Sequence, residues 1–371
     1  MNKAYRILIS GYYGAGNIGD ESILTVVVEN LRARLSGVEI TVLSQSPAAT
    51  AEKHAVRSVN RRSPVAVLGE IRRCDLLISG GGSLLQDVTS RRSILYYLAI
   101  MWAAFLFRKD VFIYSQGIGP IVSKRNRRLT AWTLRRVAGI VVRDEASAEL
   151  LCEIGVPREK AVVTADPVLR AKKADLAAGR AILECEGFAA DGAGPAVGFA
   201  VRERRTDSEF VDELCLSIGR LLDEAGARVV LIPFHYAEDL PVIEELEGRL
   251  AGRVLALKRK YLTEEMLSII GNMDVLVGVR LHALIYAAVM DVPMIAVSYD
   301  PKINSFMHAL GMKAMSAVGD FKSDYFMEEF EKTVREATAV RRNIGERVAR
   351  LIKALDTNEE MIGALMARRR G

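Results

Sequence analysis

An arginine and a histidine stand two positions apart, at Arg280 and His282, where a predicted strand gives way to a predicted helix. The run 274–277 is short, largely apolar and rich in valine, and the run 283–290 is typical of a buried helix. Open α/β sheets bind ligands at the carboxyl ends of their strands. A guanidinium binds anions and an imidazole exchanges protons near neutral pH, so the pair suits acid–base chemistry on an anionic substrate. The alternative is that His282 caps the helix while Arg280 pairs with a surface acid.

A glycine-rich loop, Gly11 to Glu21, follows the first predicted strand and opens a helix. Its backbone, including Gly14 and Gly19, suits an anion or a sugar, and Asn17 and Asp20 add polar groups for sugar hydroxyls. The loop departs from the dinucleotide fingerprint, and no acidic residue clearly ends the second strand, so NAD binding is not expected. A tight turn would also explain the glycines.

A second glycine loop and an arginine follow later strands of the same half. Gly80, Gly81, Gly82 and Ser83 come after the strand 76–78, and the turn and ligand interpretations of this loop both remain open. Arg143 ends the strand 140–142 immediately before Asp144, which is typical of a helix cap. No structural role for Arg143 is evident from the sequence, so we expect it to contact an anion.

The second half offers two further candidates at strand ends. His235 follows the strand 229–232, with Glu238 and Asp239 nearby, and a capping or structural role is its alternative interpretation. Lys302 follows the strand that Pro293 opens, which places it near Arg280 in a conventional sheet order, where it would suit a phosphate.

Strand and helix patterns alternate in two series along the chain. This alternation predicts an α/β protein with two Rossmann-like domains facing across a cleft, into which the carboxyl ends of both parallel sheets point. The predicted division is an N-terminal domain over 1–170, a linker over 171–195, a C-terminal domain over 196–340 and closing helices over 341–371. The linker is predicted because strand patterns there give way to alanine, glycine and charged residues.

The chain has 371 residues and a net charge of +5, with basic pairs such as Arg61-Arg62 crowded in its first half. Such a distribution suits anionic substrates or an anionic surface. Nucleic acid is not expected, because the basic residues follow no aromatic stacking pattern and no recognisable nucleic-acid module is present. The four cysteines are far apart and the four histidines lack metal-ligand spacing, so neither a disulfide framework nor a bound metal is expected.

Two features bear on cellular location. The N-terminus has no signal-peptide pattern, so we expect a cytoplasmic protein. The apolar segment Ile94 to Phe107 is flanked by basic residues, but as a helix it reaches only about 21 Å, too short to span a bilayer. It is therefore a core helix or a helix lying against a membrane surface.

Taken together, these motifs resemble the polysaccharide pyruvyl transferase family, and the match runs through nearly the whole chain. The segments that carry the resemblance are Gly14 to Glu21, Gly80 to Ser83, Gln116 to Pro120, Val142 to Glu145, Asp166-Pro167, Arg280 to His282 and Tyr299 to Lys302. The closest resemblance is to the CsaB type, the bacterial enzymes that pyruvylate secondary cell wall polysaccharide for anchoring of S-layer proteins. It implies a GT-B-like fold and transfer from phosphoenolpyruvate, as co-substrate and without a further cofactor. The acceptor implied is a lipid-linked saccharide, with a 4,6-ketal formed on N-acetylmannosamine.

The residues suit that chemistry. Phosphoenolpyruvate carries a carboxylate and a phosphate, which Arg143, Arg280 and Lys302 would bind, with His235 as a further donor-binding candidate. His282 would act as general acid or base, while Arg280 and Arg143 stabilise charge as phosphate leaves. On the acceptor side, the candidates are Gly14, Asn17, Gly19, Asp20, Gly81, Gly82 and Ser83, with Asp20 a candidate base for a sugar hydroxyl.

Two other functions fit the same predicted fold. A GT-B glycosyltransferase that uses a sugar nucleotide often has a ribose-binding glutamate seven residues before a proline, but here Tyr286 occupies that position before Pro293, and no Asp-x-Asp motif is present. The other alternative is a non-catalytic saccharide-binding protein of the same fold, and the presence of Arg143, Arg280 and His282 argues against it. The oligomeric state is left open.

Overall fold

The computed structural model describes residues 4–88, 92–188, 192–202 and 208–370. The chain forms two compact units. Unit 1 contains residues 1–168 and 351–371, and unit 2 contains residues 169–350.

Unit 1 is built on a seven-stranded parallel sheet in the order β3-β2-β1-β4-β5-β6-β7. The strands are β1 (Tyr5–Tyr13), β2 (Val38–Ser44), β3 (Arg57–Asn60), β4 (Leu76–Gly80), β5 (Asp110–Gln116), β6 (Gly139–Val142) and β7 (Ala161–Val163). The helices between them are α1 (Ile18–Arg34), α2 (Pro47–His54), α3 (Pro64–Arg73), α4 (Ser93–Leu106), α5 (Lys124–Leu134) and α6 (Glu145–Glu153).

Unit 2 repeats this arrangement with six parallel strands in the order β10-β9-β8-β11-β12-β13. Its strands are β8 (Ala196–Ala200), β9 (Arg228–Leu231), β10 (Leu255–Ala256), β11 (Val275–Gly278), β12 (Met294–Ser298) and β13 (Ser316–Ala317). Its helices are α7 (Leu176–Cys185), α8 (Ser208–Glu224), α9 (Tyr236–Arg249), α10 (Thr263–Gly271), α11 (Leu281–Val289), α12 (Pro301–Ala309) and α13 (Ser323–Arg335). Helix α14 (Ala337–Ala354) and helix α15 (Asp356–Arg370) end the chain.

The two sheets have the strand order of the Rossmann fold, so the α/β class and the two Rossmann-like units predicted from the sequence are confirmed. Strands β4, β8 and β12 are buried along their whole length, as expected for apolar parallel strands covered on both faces. In each sheet the order reverses at one place, between β1 and β4 in unit 1 and between β8 and β11 in unit 2. Ligands of open α/β sheets bind outside the carboxyl ends of the strands at such a switch point.

The described part of the segment 171–195, predicted as a linker, belongs to unit 2. It contains α7, which lies against α10, and the backbone N–H of Gly179 donates to Ser268 Oγ at 2.6 Å. A Cβ at Gly179 would lie 2.3 Å from the Ser268 backbone, so glycine permits this close approach. Gly179 is therefore needed for the packing of α7 on α10. Ala189–Asp191, also within the predicted linker, lie outside the described residues.

The closing helices of the sequence prediction belong to both units. The division falls within α14, and α15 packs on α1, β5 and β6 of unit 1. The apolar segment 94–107 forms α4, whose inner face joins the core of unit 1. In the described part of the chain, no helix has the length and apolar character needed to cross a membrane.

Candidate functional site

The loop after β1 is held in shape by hydrogen bonds to its own helix. Asn17 caps α1, accepting from the backbone N–H groups of Gly19 at 3.0 Å and Asp20 at 3.5 Å. The N–H of Gly14 donates to Glu21 Oε1 at 2.7 Å. Burial raises the pKa of Glu21, against the opposing effect of that hydrogen bond. The predicted acceptor loop is thus a hydrogen-bonded turn at the unit 1 switch point.

The loop after β4 lies against this turn. Gly81 and Gly82 have φ of +61° and +64°, a region that favours glycine. A Cβ at Gly82 would lie 2.6 Å from Asp20 Oδ1, so the second loop approaches the Asp20 carboxylate as closely as a glycine allows. The structure therefore brings the two predicted acceptor loops together at one edge of the sheet.

Arg143 is buried after β6 and has a structural role that the sequence did not reveal. Its Nη1 donates to Asp166 Oδ2 at 3.0 Å and its Nη2 donates to Ser83 Oγ at 3.0 Å. Asp144 caps α6, as predicted, by accepting from the N–H of Ser147 at 2.8 Å, and also lies 3.4 Å from Arg143 Nε. Burial alone would lower the pKa of Arg143, but Asp166 and Asp144 outweigh it and raise the pKa. A fixed cation thus lies beside the glycine loop with two carboxylates around it.

Arg61, one half of the basic pair Arg61-Arg62, also lies at this edge. It donates to the carbonyl oxygen of Gly11 and to Tyr97 Oη, both at 3.0 Å. Its guanidinium carbon is 5.4 Å from the ring centre of Tyr12 and 4.9 Å from that of Tyr96. Among the described residues no carboxylate forms an ion pair with Arg61. A guanidinium surrounded by aromatic rings suits a sugar face or an anionic group of an acceptor.

In unit 2, α11 begins two residues earlier than predicted, at Leu281. Arg280 is therefore the residue before the first helical position, and His282 lies in the first turn. His282 does not cap α11, because Arg280 occupies the N-cap position. The Arg280 side chain makes no capping hydrogen bond either. The His282 side chain is partly buried.

Arg280 pairs with a buried acid, Asp239, and also with an exposed one, Glu238. Its Nε donates to Asp239 Oδ1 at 3.1 Å, its Nη2 donates to the same oxygen, and its Nη2 also donates to Glu238 Oε2 at 3.1 Å. The other oxygen of Asp239, which is fully buried, accepts from the N–H groups of Phe234 at 3.0 Å and His235 at 2.7 Å. Asp239 therefore ties the ends of β9 and β11 together.

Glu238 connects three cationic or titratable groups. His235 Nδ1 is 3.8 Å from Glu238 Oε1, and Arg202 Nη2 is 3.8 Å from Glu238 Oε2. Burial would raise the pKa of Glu238, but Arg280, His235 and Arg202 together lower it. His235 occupies the N-cap position of α9 without a side-chain capping bond.

Lys302 lies in the first turn of α12, the helix that follows β12. Asp300 caps α12 by accepting from the Lys302 N–H at 3.0 Å, and Lys302 Nζ is 3.2 Å from Asp300 Oδ2. The ring centre of Tyr299 is 5.9 Å from Lys302 Nζ and 4.9 Å from the guanidinium carbon of Arg202. Arg202 lies two residues after the end of β8, just as Arg280 lies two residues after the end of β11. This shared position after a strand could have identified Arg202 from the sequence.

The ends of β8, β9, β11 and β12 are therefore linked by side-chain contacts around the unit 2 switch point. No cluster of three or more His, Cys, Asp or Glu side chains suited to a metal ion occurs among the described residues. The arrangement can bind an anion through Arg202, Arg280 and Lys302 and exchange protons through His282 or His235.

Comparison with known proteins shows the family to which the chain belongs. The model of the polysaccharide pyruvyl transferase family matches residues 17–301. The chain belongs to the polysaccharide pyruvyl transferase family. This polysaccharide pyruvyl transferase is therefore a transferase that acts on a saccharide acceptor. The matched range begins at Asn17 and includes Arg143, Arg280 and His282, and it ends one residue before Lys302.

Individual relatives are distant. The amylovoran biosynthesis protein AmsJ of Erwinia amylovora is 21% identical, over 92% of this chain and 98% of that protein. Among solved structures, HepE of Anabaena in complex with UDP-glucose has a TM-score of 0.68 at 12% identity, covering 98% of this chain and 99% of that one. The UDP-GlcNAc 2-epimerase of Neisseria meningitidis has a TM-score of 0.66 at 13% identity, covering 98% of this chain and 100% of that one. At these identities the likeness establishes the fold of the polysaccharide pyruvyl transferase, which is GT-B-like.

Proposed function

We propose that this polysaccharide pyruvyl transferase takes its pyruvyl group from phosphoenolpyruvate and forms a 4,6-ketal on N-acetylmannosamine of a lipid-linked saccharide. The reaction would take place at the inner face of the cell membrane and would prepare secondary cell wall polysaccharide for S-layer anchoring, as in the CsaB type. The observation that carries the proposal is the position of Arg280, His282 and Lys302. All three follow strands at the switch-point edge of unit 2, in a chain of this family.

The reaction balances without a cofactor. The methylene carbon of phosphoenolpyruvate accepts a proton and becomes a methyl group, and the adjacent carbon is attacked by one sugar hydroxyl. A second hydroxyl attacks the same carbon as the bond to phosphate breaks. Of the two hydroxyl protons, one is retained in the methyl group and the other leaves with phosphate. We assign the proton transfers to His282, because an imidazole can both donate and accept near neutral pH.

We assign donor binding to the basic groups of unit 2. Arg280 uses Nε and Nη2 for Asp239 and Glu238, so in the described structure its Nη1 hydrogens remain for the donor. Lys302 and Arg202 both lie near the ring of Tyr299. His235 is connected to Arg280 through Glu238, which contacts both side chains. Arg143 is assigned to charge stabilisation as phosphate leaves, with its position set by Asp166.

We assign acceptor binding to the loops of unit 1. Gly14, Asn17, Gly19, Gly81, Gly82 and Ser83 form the loop surfaces, and Asp20 beside Gly82 is the candidate base for a sugar hydroxyl. Arg61 extends this edge with Tyr12, which is exposed, and suits the negatively charged part of a lipid-linked saccharide.

A sugar-nucleotide donor is less well supported. Tyr286, at the position where such transferases often have a ribose-binding glutamate, is fully buried in α11 with its ring centre 5.4 Å from that of Phe234. Its side chain contributes to the core, and no carboxylate takes its place at that position.

The test is phosphate release on mixing the protein, phosphoenolpyruvate and a lipid-mimic disaccharide ending in N-acetylmannosamine, with the product analysed by mass spectrometry. A product heavier by one pyruvyl ketal is expected. The same disaccharide lacking its 4-hydroxyl is the matched control, and it is expected to give no ketal. Turnover of a sugar nucleotide in place of phosphoenolpyruvate would overturn the proposed donor.

A further inference from the structure

The outer face of α4 carries a continuous apolar stripe. Leu95, Ala99, Trp102 and Leu106 follow one another at helical spacing, while the opposite face of the helix is buried in the core of unit 1. Ala99 is exposed, Leu95 and Trp102 are partly buried, and Leu106 has a relative exposure of 78%. Leu95 and Trp102 pack against the edge of this core, whereas Ala99 and Leu106 extend beyond it into solvent.

Helix α5 extends this stripe with a second tryptophan. Trp132 is 47% exposed, and its ring centre lies 6.2 Å from that of Trp102 in an edge-to-face arrangement. The guanidinium carbon of Arg136 lies 3.9 Å from the centre of the Trp132 ring. The side chains of Leu95, Ala99, Trp102, Leu106 and Trp132, with the basic residues of α5 described next, are called here the α4–α5 surface.

The charge of this region is strongly one-sided. The segment 88–143 contains eleven lysine and arginine residues and a single acidic residue, Asp110, in a chain whose net charge is only +5. Arg125 and Arg128 are exposed at helical spacing with Trp132, so they share its face of α5. Asp110 is engaged by Arg369 at 3.1 Å.

We propose that the α4–α5 surface binds the surface of a bilayer that contains acidic phospholipids. Tryptophan side chains favour the membrane interface, and basic side chains beside them attract anionic headgroups. The exposed tryptophan and leucine side chains favour a lipid surface over a nucleic acid, whose phosphates would engage only the basic residues. Docking there would bring the protein to the layer in which a lipid-linked acceptor resides. This benefit of docking rests on the proposed lipid-linked acceptor. Binding to the bilayer itself requires neither donor nor acceptor.

The chain offers a direct probe, because its only two tryptophans, Trp102 and Trp132, both belong to this surface. The protein is mixed, without substrates, with vesicles of phosphatidylcholine alone or with phosphatidylglycerol added. We expect co-sedimentation and a blue shift of tryptophan emission only with phosphatidylglycerol, and quenching by lipids brominated in their acyl chains.

Two double variants separate charge from apolar contact. Arg125→Glu with Arg128→Glu should weaken binding to acidic vesicles by about 25-fold or more, because each basic residue near an acidic membrane contributes about fivefold to the affinity. Arg342→Glu with Arg350→Glu, on exposed positions of α14, changes the net charge equally and should leave binding unchanged. Trp132→Ser with Leu106→Ser should abolish the quenching of the remaining Trp102 emission by brominated lipid. Leu216→Ser, at an exposed position on α8, should leave the quenching of tryptophan emission unchanged.

The outcomes decide the proposal without reference to catalysis. Failure to sediment with phosphatidylglycerol vesicles, or equal loss of binding in the α14 variant, would overturn it. An emission shift with RNA but none with vesicles would identify a nucleic-acid surface instead. Vesicle binding by a protein that fails to use phosphoenolpyruvate would retain this inference and remove the proposed donor.

Discussion

Arg143 and Arg280 are held in a similar way, although they lie in different units. Each guanidinium is held by one nearly inaccessible carboxylate, Asp166 for Arg143 and Asp239 for Arg280. A buried ion pair contributes little net stability, but removing one partner leaves the other charge buried and unpaired. The two carboxylates therefore hold the guanidinium groups in fixed positions. Binding of a substrate anion requires cations that are positioned in this way.

The Arg280 pair gives a test at the scale of single residues. Asp239→Ala should lower the free energy of unfolding by about 3–5 kcal/mol, because it leaves the Arg280 guanidinium with only the half-exposed Glu238 as an ionic partner and removes the acceptor of two backbone N–H groups. Glu238→Ala is the matched control, since Glu238 is half exposed and its loss should cost within about 1 kcal/mol. Urea unfolding measures both, and equal costs would mean that Asp239 does not hold Arg280.

His282 is expected to carry proton transfer. His282→Ala should reduce turnover by about 10²- to 10⁴-fold while leaving the circular dichroism spectrum and melting temperature near those of the parent. His308→Ala is the control, because His308 is exposed on α12 and lies outside the proposed machinery. Near-normal turnover in the His282 variant would remove this residue from the mechanism.

At the scale of elements, each candidate residue is placed by the junction of a strand with a helix. The loop after β1 shows how closely this placement is controlled, since Asn17 caps α1 and Glu21 of its first turn accepts from Gly14. Carboxylates favour the positive end of a helix, but burial opposes their ionisation. For Glu21, burial has the larger effect, and its pKa is raised.

This shift predicts a pH dependence of stability. Because the folded pKa of Glu21 lies above the unfolded value of about 4.3, its contribution is complete below that pH and is lost as the pH rises through the folded pKa. Glu21→Gln does not titrate, so its stability relative to the parent should increase as the pH is raised from about 4 to 7. Urea unfolding at several pH values measures this difference, with the exposed Glu29→Gln on the same helix as control. A difference that does not change with pH would contradict the prediction.

At the scale of the whole molecule, unit 1 is built from two stretches of sequence that lie on either side of unit 2. Helix α15 packs on unit 1, where Asn358 donates to Ser115 Oγ at 2.8 Å and Tyr114 donates to Glu359. Ile362 and Met366 of the same helix are buried. The core of unit 1 therefore includes side chains that follow unit 2 in the sequence.

Deletion of residues 356–371 should accordingly destabilise unit 1 alone. Loss of a single buried side chain such as Ile362 costs about 2–5 kcal/mol, and the deletion also removes the partners of Ser115 and Tyr114. Hydrogen exchange is expected to accelerate in β5 and β6 while β8 and β11 keep their protection. Faster exchange in both units, or in neither, would contradict this assignment of α15.

The sequence by itself determined the alternation of strands and helices, the two Rossmann-like sheets and the position of the motifs at strand ends. It could do so because apolar periodicity, glycines and capping residues act over a few neighbouring positions. The family resemblance added the class of reaction.

The tertiary structure decided which groups meet. Arg143 lies 23 positions from Asp166, Arg280 lies 41 positions from Asp239, and Arg61 reaches Tyr97 36 positions away. The packing of α7 on α10 and of α15 on β5 depends likewise on surfaces distant in sequence. Such contacts follow from how strands order in a sheet, and no local pattern of residues encodes that order.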